Sequence, residues 1–235
     1  MPNNKAEFAP TRQFHEGTLQ RMGRYASVQC QRDLMGFGRW QRPCHNPEPR
    51  EWTLVNRMTQ IRLARALRVP RLVAHYIKTQ RERFALQAIP LTPAQMAAMS
   101  GFFPLPTLEA ARIVELDGVR LENPPFRRML VGMGISGLRD LSQIAAITFH
   151  DVIVSHVPIS SGLLFHELVH VEQYRQLGIR RFAELYVGGF LSGGGYDGIP
   201  LEVNAYSLGR QFEADPRRQF SVADVVARWV REDRF

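Results

Sequence analysis

Cysteine is almost missing from this 235-residue chain, with Cys30 and Cys44 its only two. That excludes a disulfide-rich scaffold, and nothing in the sequence points to an oxidising compartment, so both thiols are expected to be reduced. Cys44 stands beside His45, but the spacing back to Cys30 fits no standard zinc-site pattern. Lysine is as scarce, present only at Lys5 and Lys78, so the positive charge is nearly all arginine. Long apolar runs are lacking too. The best stretch, 129–149, is interrupted by Arg139 and Asp140, which argues against a membrane span. The opening MPNNKAEFAPTRQF has no basic start followed by an apolar run, so no signal peptide is expected; the expected location is cytoplasmic, with export by a non-classical or injection route as the alternative.

What is present is ordinary globular composition, 45% hydrophobic and 22% charged, which excludes wholesale disorder. The net charge of +8 is uneven. Residues 1–100 hold 16 basic against 6 acidic side chains, and residues 101–235 hold 14 against 16. A basic half can meet nucleic acid or an acidic partner. No recognisable nucleic-acid motif or aromatic stacking pattern accompanies it, so no specific nucleic-acid partner is expected. The alternative reading remains a basic nucleic-acid- or partner-binding protein with a structural or vestigial zinc site.

Periodicity predicts mostly helices. Residues 1–48 are irregular, and a helix is expected over 51–67. A second, 71–88, would bury Leu72, Val73, Tyr76 and Leu86, and a third begins near Pro93 behind the cap Thr92. Asp117-Gly118 signals a hairpin between the runs 110–116 and 119–121, and a second β stretch spans 144–154. Helices then follow over 161–177, with Gly178 as terminator, and over 180–191. Two more are expected, from Pro200 to about Ala214 and behind the cap Ser221. The expected fold class is α+β, mainly helical, with a short β-sheet. Residues 1–105 read as an arginine-rich, mostly helical region and 106–235 as the part carrying the chemistry.

The segment His166-Glu167-Leu168-Val169-His170 holds most of the functional information. On a helix, positions four apart share a face about one turn, ~6 Å, from each other, so two imidazoles can reach one metal ion. Leu164, Leu168 and Val171 fall on the opposite side and would bury the helix. Glu167 is rotated about 100° from His166, close enough to take a proton from a polarised water. Catalytic zinc usually takes three protein ligands. No further histidine follows His170 at the spacing of a three-histidine site, so the third ligand is expected on a later helix. Glu202, in the first turn of the helix opened by Pro200, is favoured over Glu184 and Glu213.

With HExxH and a downstream glutamate, the sequence resembles the gluzincin metallopeptidases, and compact bacterial metallopeptidase-like domains in particular. Those enzymes carry Glu, two residues, Ser or Ala, then Asp; here the stretch is Glu202-Val203-Asn204-Ala205-Tyr206, so the aspartate is replaced. The resemblance covers roughly residues 144–215. It implies a zincin-like core, bound Zn2+, a peptide or protein substrate lying along a β-strand, and Glu167 as general base. It also implies that something replaces the missing aspartate, which in larger relatives orients a histidine ligand. Tyr196, Tyr206 and His156 are candidates for steadying an oxyanion, and Gln173, one turn past His170, for supporting the ligands, although solvent exposure is the plainer expectation for it.

Overall fold

The computed structural model describes residues 68–193 and 195–235, together with Thr59. The expected irregular arm, nearly all of the 51–67 helix and both cysteines lie outside the described residues. Residues 68–235 belong to one compact unit. Its elements are α1 (Val69–Ala85), β1 (Ile89–Pro90), α2 (Pro93–Met99), α3 (Leu105–Ala110) and β2 (Arg112–Glu115). There follow α4 (Arg127–Gly132), β3 (Ala146–Phe149), β4 (Val152–Ser155), α5 (Ser161–Gly193), α6 (Pro200–Ala214) and α7 (Val222–Arg231), with 3-10 turns at Leu141–Gln143 and Tyr196–Gly198. The fold is α+β and mainly helical, as the periodicities imply. Among the described residues no helix is long and apolar enough to cross a membrane.

The sheet runs in the order β1-β2-β4-β3. β2 and β4 are parallel, with Ile113 opposite Ile153, and the outer pairings are antiparallel. All four residues of β4 are buried, as suits an inner strand covered on both faces. Ile113 and Ile153 face a core built from Phe102, Phe103, Phe165 and Phe212. Val114, Val152 and Val154 face a second core shared with Ile77 and Phe84 of α1 and with Tyr174 and Phe182 of α5.

Three expectations need correction. The Asp117-Gly118 hairpin does not form, because β2 pairs with the buried β4 rather than with residues 119–121. Parallel pairing there buries Ile113 and Val114 on opposite faces, whereas a local hairpin would have paired β2 with Val119, which is 61% exposed. α1 ends at Ala85, so Leu86 falls past its last turn and is exposed, and Leu72 points outward; Val69, Ile77 and Phe84 carry the buried face instead. Residues 105 and 106 mark no boundary either. β1 pairs with β2 across that point, and Phe102 and Phe103 pack on Phe165 of α5.

The second β stretch does form, as a tight hairpin of β3 and β4 with His150 at φ 64 in the turn. Arg81 of α1 clamps this turn, donating Nε and Nη2 to the two carboxylate oxygens of Asp151, both at 2.8 Å. α2 starts where Thr92 caps it, with Gln95 closing a reciprocal capping box.

Candidate metal centre

Ser160 opens α5, its Oγ accepting from the Leu163 N–H at 3.2 Å. Leu164, Leu168 and Val171 are buried beneath the helix as their spacing requires. Phe165 stacks on Phe212 of α6 with ring centroids 4.4 Å apart, pressing the two helices together. On the other side of α5, His166 and His170 turn towards each other, with their Nε2 atoms 3.2 Å apart.

α5 runs through Gly178, whose φ of 71 and ψ of 160 break it into two limbs. The second limb returns towards α6, and Gly189 is the point of contact. A Cβ there would lie 2.5 Å from Pro200 Cδ. This approach sets down the first turn of α6, where Pro200 fixes the backbone and Glu202 follows beside the helix N-terminus. Glu202 Oε2 comes to 3.6 Å from His166 Nε2 and 3.5 Å from His170 Nε2. Of the other glutamates weighed, Glu184 pairs with Arg180 and Arg181 instead, and Glu213 is exposed.

His166, His170 and Glu202 form a three-donor group able to hold a metal ion. Glu202 is 5% exposed, yet its Oε2 makes no hydrogen bond. An unsatisfied buried carboxylate oxygen costs more than the roughly 1–3 kcal/mol of a neutral group, so a cation at this point is the natural partner. The spacing suits a small divalent ion, zinc among them. Ligands set tetrahedrally at about 2.0–2.1 Å from zinc lie about 3.3–3.4 Å from one another, and the three edges here are 3.2, 3.5 and 3.6 Å. Burial alone would push the Glu202 carboxyl up, but the charge of His170, with His166 and Tyr196 alongside, outweighs that and holds it well below the usual range. Burial likewise works against charging His170, and Glu202 more than reverses this, raising it to about 9. The site is thus strongly disposed to hold positive charge, and a divalent ion would displace the proton.

Gln173 is not solvated. It is wholly buried, and its amide meets His170 Nδ1 at 2.9 Å, the Leu201 carbonyl at 3.0 Å and Asn204 Oδ1 at 3.0 Å. Glu167, 4% exposed, has its Oε2 fixed by the Thr148 hydroxyl, which donates to it at 2.7 Å from the edge strand β3. Tyr196 lies against Glu202, and burial together with that carboxylate's charge pushes its phenol far up, so the hydroxyl stays protonated. Arg139 covers the Tyr196 ring at 3.6 Å and pairs with Asp197 at 3.6 Å. Tyr206 packs its ring on His166 with centroids 4.6 Å apart and is 42% exposed.

His156 is engaged elsewhere. Its Nδ1 meets the Ile144 carbonyl at 2.8 Å, and its Nε2 accepts from the Leu121 N–H at 3.2 Å, so both nitrogens fasten loops to the sheet. Thr148 and Arg139 had no signal in the sequence, because neither belongs to a motif and each reaches the site only through tertiary packing. Glu172, next to Gln173, is also buried, but Thr107, Arg175 and Gln176 satisfy its oxygens and make it structural.

No family model, no curated protein and no solved structure matches the chain. The centre stands on its own geometry.

Proposed function

We propose that this protein is a zinc-dependent peptidase, with His166, His170 and Glu202 holding the metal and Glu167 as general base. The observation that carries the reading is the buried, unsatisfied Glu202 oxygen within 3.6 Å of two imidazole nitrogens, beside a second buried carboxylate anchored by Thr148. Zinc in such a site acts as a Lewis acid that makes water nucleophilic near neutral pH and polarises a carbonyl group.

The remaining work falls to the chain. Glu167 keeps one oxygen on Thr148 and presents the other to take the nucleophile's proton and pass it to the leaving amine. The Tyr196 hydroxyl is the donor we assign to the charge that develops on the carbonyl oxygen. The substrate would be a peptide or protein in extended form. Among the described residues β3 stands at the edge of the sheet, so its outer side can pair with such a strand through backbone hydrogen bonds. Thr148 of that strand touches the base, so pairing there would bring a peptide bond beside Glu167.

The test is zinc analysis of the purified protein joined to cleavage of a peptide library by wild type and Glu167→Gln. Wild type is expected to hold about one zinc, and the variant to keep its metal and fold while turnover drops by about two to four orders of magnitude. Glu202→Gln should instead weaken zinc retention, since a charged oxygen ligand is lost. Cleavage by Glu167→Gln at the wild-type rate would overturn the reading and leave a structural metal site.

A further inference from the structure

The missing aspartate of the Glu202–Tyr206 stretch leaves open what orients the metal-binding histidines, and the hydrogen-bond directions around Gln173 answer for His170. The Leu201 carbonyl can only accept, so the Gln173 atom 3.0 Å from it is the amide nitrogen, which also donates to Asn204 Oδ1. Gln173 Oε1 is thereby turned to His170 Nδ1 at 2.9 Å. An amide oxygen only accepts, so Nδ1 carries a proton whatever the charge of the ring. Nε2 is then the nitrogen left to ligate, and it is the one facing His166 and Glu202.

The same amide spans two elements. Its oxygen holds a ligand of α5, and its nitrogen holds the backbone carbonyl of the residue just before the α6 ligand, Glu202. Both bonds are shielded from water, since Gln173 and Leu201 are 0% exposed and His170 is 6% exposed. Water therefore does not compete for either bond.

We infer that Gln173 is a positioning residue that fixes the ligating nitrogen of His170 and sets its distance from Glu202, taking over the orienting task of the absent aspartate from within the histidine helix itself. This rests on the zinc reading proposed above. Histidine ligands depend on such partners, and losing one typically lowers metal affinity by about 10–100-fold.

The experiment measures zinc affinity of the full chain by competition with a chromogenic chelator, for wild type, Gln173→Met and Gln173→Glu. Met fills a similar volume and offers Nδ1 only a weakly accepting sulfur, so zinc should bind about 10–100-fold more weakly. Glu restores an acceptor for Nδ1 but loses the donor to Leu201. It should bind zinc more tightly than Gln173→Met yet more weakly than wild type, and its metal-free form should melt earlier. A purely packing role also lowers the melting temperature of both variants but leaves the affinity of the folded protein for zinc unchanged. Long-range proton–nitrogen correlation on zinc-loaded wild type adds a readout that needs no variant, and should find His170 Nδ1 protonated and Nε2 on the metal. Unchanged zinc affinity in Gln173→Met, or ligation through Nδ1, overturns the inference while leaving the zinc reading intact. Wild-type protein that takes up no zinc overturns both.

Discussion

At the scale of single residues the centre is made of buried polar groups whose partners leave few alternatives. Glu167 and Glu202 are both carboxylates with almost no exposure, yet their surroundings differ. Glu202 faces two imidazoles, while Glu167 has one oxygen tied to a neutral hydroxyl. Thr148→Val removes that hydroxyl and keeps the shape. Losing one such bond, worth about 1–2 kcal/mol, should slow turnover roughly 5–30-fold while zinc content stays at the wild-type level. Thr148→Ser should recover most of the loss. Steady-state kinetics on a cleaved peptide, run beside metal analysis, checks this. Equal rates for wild type and Thr148→Val would show that the hydroxyl does not position the base.

At the scale of elements, two glycines do different things along α5. Gly178 bends the chain, and its φ of 71 with ψ of 160 lies in a region that belongs essentially to glycine. A Cβ there would meet nothing within 4 Å, so Gly178→Ala should cost only the backbone strain, about 1–3 kcal/mol. Gly189 is the contact that admits α6. There a Cβ would strike Pro200 Cδ at 2.5 Å and Ile199 Cα at 3.3 Å, both on the stretch that leads into Glu202. Gly189→Ala should therefore push α6 outward and weaken zinc binding as well as stability. Urea unfolding and chelator competition on both variants separate the two effects. Zinc affinity falling in Gly178→Ala but not in Gly189→Ala would refute this division of roles.

At the scale of the whole unit, the Arg81–Asp151 clamp ties α1 to the turn of the β3–β4 hairpin and so steadies the strand that carries Thr148. Burial pushes the Asp151 carboxyl up, but hydrogen bonds from Arg81 and His150 win and hold it well below the usual carboxylate range. A carboxyl depressed on folding contributes stability above its unfolded pKa, roughly 4, and loses it progressively as the pH falls towards the folded value. The stability difference between wild type and Asp151→Asn should therefore be constant from pH 5 to 7 and shrink in more acid solution. Denaturant unfolding across that range checks it. A gap that widens on acidification would assign the coupling to another group.

Features that depend on neighbours a few residues apart were legible in the amino-acid order. The 3.6-residue period placed His166 and His170 on one face of a helix and Leu164, Leu168 and Val171 on the other. Local chemistry at Thr92, Pro200 and Ser221 likewise marked where helices begin, and Pro200 set Glu202 in a first turn. Features that depend on distant segments meeting emerged only on folding. β2 left its nearest partner for the buried β4, since covering both faces of a strand buries more apolar surface than a local hairpin does. Residues 68–105 joined the same sheet and core because Phe102 and Phe103 needed the apolar face of α5. Gln173 read as a surface glutamine because its three partners include a backbone carbonyl and an amide 28 and 31 residues away. No local pattern encodes such a bond; it forms only after two helices have packed and sealed the amide from water.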